Sequence, residues 1–268
     1  MEIGLNNIFL TVVMPALNEE KNIATAINNT LNAFKYFNIS GEIIVVNDGS
    51  KDDTENIVNN IMQKETPVRL LKHETSKGIG ASFWDGVDNA RGDIIVMLPG
   101  DNENDPWEIF RYYKMLEHVD IVIPFVYNKR VRSFFRNILS YLYRFIINTT
   151  FLVNFNYTNG TILYRKSMLK DLDYRSNSFF FQTDILIRTI KKGYLFAEVP
   201  YRIDLRKEGI SKAVTFPSLL KVMKGYLRLV RDQYFRKHIR DDVSFTQDSL
   251  TKVRRYEDNN KVDGSSHK

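Results

Sequence analysis

The first part of the chain alternates between two kinds of stretch, and that alternation constrains the fold more than any single residue does. "FLTVVMPA" (9–16), "GEIIVVNDGS" (41–50), "VRLLKHE" (68–74) and "DIIVMLPGD" (93–101) begin or run as short apolar segments rich in Val and Ile. Between them, "NEEKNIATAINNTLNAFKYF", "KDDTENIVNNIMQKE" and "SKGIGASFWDGVDNARG" place apolar side chains three and four residues apart. The second spacing predicts helices with one buried face, and the first predicts strands covered on both faces. A β-α-β-α-β-α-β order requires right-handed crossovers, hence a mainly parallel sheet with helices on both sides. The expected fold class is therefore α/β.

The second half is less regular. "VDIVIPFV" predicts a fifth strand, and 131–153 a helix that is aromatic and basic. "NGTILYRKSML" predicts a strand entering a helix, "QTDILIRTIKKGY" a helix stopped by Gly193, and "FAEVPYRID" a late strand. A basic amphipathic helix is expected over 217–236. The expected division is one domain over 1–239 and a polar, mobile tail over 240–268.

Charge narrows the partners. The net charge is +6, and Lys129, Arg130, Arg132, Arg136 and Arg144 follow one another without an acidic residue between them. Such a bias points to nucleotide phosphates, lipid phosphates or an anionic membrane surface. Nucleic acid is disfavoured, because acidic groups crowd the strand ends and no nucleic-acid motif is present. The chain has no cysteine, which removes disulfides and thiolate chemistry together. No cationic leader precedes the first apolar stretch, so no signal peptide is expected. The uncharged stretch 145–164 carries four Asn and four Thr, too polar for a membrane span. A cytoplasmic protein, peripheral at the cytoplasmic face of a membrane, is the expectation.

In parallel sheets, ligands bind beyond the carboxyl ends of the strands. Those ends here read Pro15-Ala16-Leu17-Asn18-Glu19, Asn47-Asp48-Gly49-Ser50 and Pro99-Gly100-Asp101. Asn18 and Glu19 double as candidates for capping the first helix, and Asp48 for an Asx turn. "MLPGDNENDP" sets Asp101, Glu103 and Asp105 in one turn, which reads as a metal site or as a solvated turn with an N-cap.

Taken in order, "VVMPALNEEKNI", "EIIVVNDGSKDDT", "SKGIGASFWDGV" and "GDIIVMLPGDNENDP" resemble the inverting GT-A glycosyltransferases of family 2. Within that family they look most like the dolichyl- and other polyprenyl-phosphate sugar transferases. The second half extends the resemblance through "FFFQTDILIRTIKKGYLFAEVPYRI" and "RKEGISK", so it spans roughly 9–231. It implies a GT-A fold and transfer of a sugar from a GDP- or UDP-linked donor to a polyprenyl phosphate. A membrane surface, and a separate membrane subunit, are the further partners it brings into view.

The resemblance also implies roles. Pro15, Asn18, Glu19, Asp48, Lys77 and Gly100 match donor nucleotide-binding positions. The family's Asp-x-Asp becomes Pro99-Gly100-Asp101, which keeps the second carboxylate, and Glu103 falls where a Gln is usual. Asp101 and Glu103 are thus the expected ligands for Mg²⁺ or Mn²⁺. Gln182 and Asp184 match the reaction centre, with a helix N-cap as the alternative for Asp184. Arg206, Ser211 and Lys212 match a phosphate-binding R-x-x-G-x-S-K element, and Arg130 and Arg132 lie near an acceptor-phosphate arginine. The stretch around Asn156 and Gly160 departs from the lipid-phosphate enzymes, which carry an aspartate near the first and an aromatic residue after the second. Transfer to a saccharide hydroxyl and non-catalytic binding of sugar nucleotides remain as alternatives.

Overall fold

The computed structural model describes residues 10–128, 134–158, 160–202, 216–235 and 244–255. Among the described residues, seven strands form one sheet in the order β3-β2-β1-β4-β6-β5-β7. They are β1 (Leu10–Ala16), β2 (Gly41–Asn47), β3 (Val68–Lys72), β4 (Ile94–Met97), β5 (Ile121–Val126), β6 (Leu163–Arg165) and β7 (Phe196–Tyr201). Strand β6 runs antiparallel to β4 and β5, and every other pairing is parallel. The carboxyl ends of β1 to β5 and β7 therefore share one edge with the start of β6.

Among the described residues, helices that cover the sheet include α1 (Ile23–Phe37), α2 (Thr54–Met62), α3 (Ile79–Asn89), α4 (Pro106–Phe110), α5 (Phe134–Phe151), α6 (Lys166–Lys170), α7 (Phe181–Lys192) and α8 (Phe216–Tyr234). Strand side chains alternate between the two faces. Val12 and Met14 of β1 join the core under α1, α2 and α4, whereas Val13 joins the core under α3, α5, α7 and α8. Each face thus buries its own apolar layer, which is why the strands read as continuous apolar runs. Gly193 ends α7 in the left-handed region at φ 102°, as its sequence position predicts.

Two expectations need correction. Helix α1 begins at Ile23 after Asn22, not at Asn18. Asn18 instead adopts φ 56° in the preceding loop. The expected mobile tail also contains a docked piece. Leu250 and Thr251 are buried, and both donate backbone N–H groups to the buried Asp120. Phe245 packs edge-on against Tyr194, and Thr251 Oγ1 accepts from Leu195 N. A buried carboxylate with unmet acceptor sites would be costly, so the segment 244–255 is held where Asp120 needs donors.

Candidate active site

The loops after β1 and β2 are joined side by side. Asn18 N donates to Ser50 Oγ (2.9 Å), Asn18 Oδ1 accepts from Lys51 N (2.8 Å), and Glu19 N donates to Thr54 Oγ1 (2.9 Å). Glu20 and Asp52 add a reciprocal pair, Glu20 N to Asp52 Oδ2 and Asp53 N to Glu20 Oε2. Glu19 also accepts from Asn22 through its side chain and from Asn22 N and Ile23 N through its carbonyl, which braces the turn before α1. Asn18 and Glu19 therefore shape this loop pair through local bonds.

Asp48 lies under that pair and is 4% exposed. Its Oδ1 accepts from Lys77 N (2.8 Å) and sits 2.7 Å from His73 Nδ1. Its Oδ2 accepts from Ser76 Oγ (2.7 Å) and Gly78 N (2.9 Å). A carboxylate offers about four acceptor sites, and Asp48 uses them on the 73–78 loop. Burial opposes its ionisation, but the His73 and backbone hydrogen bonds outweigh burial and hold its carboxyl below the usual carboxylate range. Asp48 thus fixes the 73–78 loop at the edge where the donor nucleoside is expected. The anion that the glycine-flanked turn before α3 holds is this carboxylate. Gly49 is required here: it has φ 76°, and a Cβ would stand 2.9 Å from Ser76 N.

Sequence reasoning missed His73, which is buried between two carboxylates, with Nε2 2.7 Å from Asp85 Oδ2. Lys77 Nζ lies 3.7 Å from the same Asp85, with its side chain 56% exposed. The "KHE" triplet gives no periodic signal, so His73 becomes visible only when β3 is laid beside β2.

In the acidic turn the N-cap reading holds for one residue, Asp105. Asp105 accepts from Trp107 N (2.9 Å) and caps α4, with Pro106 in its first turn. Asp101 Oδ1 accepts from Glu103 N (3.1 Å), and Gly100 N donates to Pro15 O (3.0 Å). Asp101 and Glu103 therefore stay together at the end of β4, beside the β1 loop. Among the described residues no group of three or more His, Cys, Asp or Glu is placed to hold a metal. The carboxylate pair supplies hard oxygen donors that fit Mg²⁺ or Mn²⁺ only as a shared site, completed by water and phosphate oxygens.

Helix α7 brings its first turn to the same edge, where segment 176–178 packs against α3. Trp84 Nε1 donates to Ser176 O, and a Cβ on Gly80 would meet Asn177 at 2.6 Å. Asp184 is the fourth residue of α7 and 1% exposed, which corrects the N-cap alternative. Its Oδ2 accepts from Arg188 Nε (3.0 Å), while its Oδ1 is buried without a hydrogen-bond partner. Gln182 is also 1% exposed; its Oε1 accepts from Tyr164 OH (3.2 Å) and its Nε2 has no partner. Burial raises the Asp184 carboxyl above its ordinary range, with Arg188 pulling the other way. Buried polar atoms left unpaired mark places where a ligand or water completes the bonding.

Beyond the carboxyl end of β5 a cavity of about 260 Å³ is lined by Val126, Asn137, Ser140, Tyr141, Arg144 and the Asn156–Tyr157 pair. Asn156 is held by Glu198 through both its backbone N (2.7 Å) and its side chain (2.9 Å). Its carbonyl takes Arg144 Nη1 (3.1 Å). Asn156 is therefore a structural strut of this cavity, a role its departure from the usual aspartate did not disclose. The remaining predicted residues, Arg130, Arg132, Arg206, Ser211 and Lys212, lie outside the described residues.

Helix α5 exposes Ile138, Leu142, Phe145 and Ile146, and α8 exposes Leu219, Leu220, Met223 and Leu227. The two helices are joined by Thr150 Oγ1 to Tyr226 OH (2.8 Å) and Tyr234 OH to Thr150 O (2.5 Å). No helix among the described residues is long and apolar enough to cross a membrane.

Known proteins share this fold. The chain superposes on glucosyl-3-phosphoglycerate synthase from Mycobacterium tuberculosis, solved with Mn²⁺, UDP and phosphoglyceric acid, at TM-score 0.65 and 20% identity, covering 84% of this chain and 79% of that one. That likeness shows the shared GT-A fold. A dolichyl-phosphate beta-glucosyltransferase of Trichomonas vaginalis is 35% identical over 35% of this chain and 31% of its own. An undecaprenyl-phosphate 4-deoxy-4-formamido-L-arabinose transferase of Pseudomonas fluorescens is 32% identical over 48% of this chain and 38% of its own. The chain thus spans only about a third of the length of these curated relatives. Residues 11–173 match the family described as glycosyl transferase family 2. That match covers more than half of the chain and includes the acidic turn and the three joined loops, and on it the chain belongs to glycosyl transferase family 2.

Proposed function

We propose that the protein is an inverting glycosyltransferase that moves a sugar from a nucleoside-diphosphate donor to a polyprenyl phosphate at a membrane surface. The observation that carries this reading is the cavity beyond β5, lined by Arg144, Ser140 and two tyrosines, the first two on α5, a helix that also exposes Ile138, Leu142, Phe145 and Ile146. A phosphate with a long apolar tail matches that combination: cation and hydroxyl for the head, apolar helix surface for the tail. The relatives named for dolichyl and undecaprenyl phosphate support the same acceptor class. Peripheral membrane attachment follows from the acceptor and from the basic, apolar exterior of α5 and α8.

The donor nucleotide belongs at the joined β1 and β2 loops, with Pro15, Asn18, Glu19 and Gly100 around it and Asp48 fixing the 73–78 loop behind it. Asp101 with Glu103 would hold a Mg²⁺ or Mn²⁺ ion, which when bound neutralises charge on the departing diphosphate. Lys77 offers a further cation at that edge, and Arg206, Ser211, Lys212, Arg130 and Arg132 are assigned to the donor and acceptor phosphates. In the transfer, an acceptor oxygen forms a bond to the anomeric carbon as the bond to the nucleotide oxygen breaks. The diphosphate leaves with the electron pair and the configuration inverts. Holding the two reactants in line supplies part of the acceleration, and stabilising charge on the departing diphosphate supplies another. Gln182 and Asp184 are assigned to hold hydroxyls at the reaction centre.

A second reading, transfer to a saccharide hydroxyl, draws on the unpartnered oxygen of Asp184, since a hydroxyl acceptor needs a base. Asp184→Asn separates the two. With a hydroxyl acceptor the variant loses about 10²–10⁴-fold in rate, and with a phosphate acceptor, already anionic, it loses far less. Titration calorimetry of UDP- and GDP-sugars, with and without Mg²⁺ or Mn²⁺, tests the donor and metal. Metal-strengthened binding that Asp101→Asn abolishes is expected. Absence of binding for every donor would overturn the proposal, and metal-strengthened binding that survives Asp101→Asn would remove Asp101 from the site.

A further inference from the structure

Helix α8 is more than a cover for the second core. Its outward side carries Lys221, Lys224, Arg228 and Arg231 among Leu219, Leu220, Met223 and Leu227, all exposed. Its one acidic residue, Asp232, is buried at 2% exposure. Such a surface is complementary to an anionic bilayer: apolar side chains for the acyl boundary and cations for the headgroups.

The inward side reaches Asp184. Arg188 stands between two carboxylates, donating through Nε to Asp184 Oδ2 (3.0 Å) and through Nη2 to Asp232 Oδ2 (2.8 Å). Asp232 Oδ1 in turn meets Arg231 Nη2 at 3.3 Å, and Arg231 is 63% exposed. A continuous chain of charge thus runs from the exterior of α8 to the head of α7: Arg231, Asp232, Arg188, Asp184. Tyr174 ties the same helices together, with the guanidinium of Arg228 3.9 Å and that of Arg188 5.3 Å from its ring centre. Gly225 lets α8 approach the residue just before α7, since a Cβ there would lie 2.8 Å from Phe180 Cδ1. Burial opposes ionisation of Asp232, but Arg188 and Arg231 outweigh it and hold its carboxyl low, so Asp232 is a fixed anion. Asp184 is faced by Arg188 on its own helix and by Asp232 and Arg228 on α8.

The geometry points to Arg188 and Asp232 as positioning residues that connect the seating of α8 on an anionic membrane to Asp184. This deepens the proposed function and rests on it. When headgroup phosphates engage Arg231 and Arg228, the bonds those side chains make to Asp232 and Tyr174 change. Arg188 then redistributes between Asp232 and Asp184. Lipid contact and the reaction centre are thereby joined through two buried ion pairs and one aromatic ring.

The test uses the full chain, a labelled sugar nucleotide and a short, water-soluble prenyl phosphate as acceptor. Rates are read with and without vesicles of phosphatidylcholine containing phosphatidylglycerol. In the wild type, anionic vesicles are expected to raise kcat several-fold with little change in donor KM. Asp232→Asn and Arg188→Gln are expected to bind the vesicles as the wild type does, yet to show no rise in kcat. The double variant M223S/L227S is expected to lose both vesicle binding and the rise. A rise of wild-type size in both Asp232→Asn and Arg188→Gln would overturn the coupling, as would a wild type that binds vesicles without any change in kcat. A wild type that transfers no sugar to the short acceptor would overturn the proposed function itself, a result distinct from either.

Discussion

Two edges of one sheet treat buried carboxylates in opposite ways. At the amino edge of β5, Asp120 is fully buried and fully bonded: Arg165 Nε (3.1 Å), Leu250 N (2.7 Å), Thr251 N (3.0 Å) and the Thr251 hydroxyl all donate to it. Glu42, on the same edge, likewise accepts from Thr11, Arg91 N and Arg69. At the carboxyl edge, Asp184 is as deeply buried but keeps one oxygen without a partner. Saturated carboxylates fix a fold, and a half-saturated one stores an unmet demand that a substrate can answer. Asp48 shows that edge alone does not decide the matter, because it sits on the loop edge and is saturated.

The comparison breaks most visibly at Asp120. Asp120→Ala should leave Arg165 as an uncompensated buried charge and free the 244–255 segment, at a cost of about 3–5 kcal/mol. Denaturant melts should show that loss, while donor affinity per folded molecule stays unchanged. Asp48→Asn comes next, since it weakens hydrogen bonds to a charged acceptor worth about 1.5–3 kcal/mol each. Its carboxyl is held below the ordinary range, so it adds stability above the unfolded pKa and loses that contribution as pH falls through the folded one. The gap between wild type and Asp48→Asn should therefore be full at neutral pH and close in acid. Asp184→Asn should have the smallest effect on stability and the opposite sign. Its folded carboxyl is raised by burial, so the ionised form is disfavoured in the fold and stability falls as pH rises through that range. The variant should melt at or above the wild-type temperature at neutral pH, and a drop as large as that of Asp120→Ala would erase the distinction between the edges.

Much of this was legible in the sequence. The helix and strand periods of the first half, the late strand β7 and the glycine stop of α7 follow from side-chain spacing, because each is a local property of the chain. The acidic turn gave its N-cap meaning, with Asp105 capping α4. What remained hidden depends on partners far apart in sequence. His73 reaches Asp48 and Asp85 only once β3 lies beside β2, and Asp232 meets Arg188 only once α8 lies on α7. The docking of 244–255 was equally hidden, because its anchor is a carboxylate at the start of β5 and its own composition is polar. Asn18 illustrates a different failure: its side chain has the chemistry of an N-cap, but the neighbouring loop offers Lys51 N and takes it instead.

The most direct measurement is transfer of radiolabelled sugar from UDP- and GDP-linked donors to polyprenyl phosphate in membranes, with and without Mg²⁺ or Mn²⁺. A metal-dependent, organic-extractable product is the predicted result. Donor binding with no extractable product from any sugar nucleotide would contradict it.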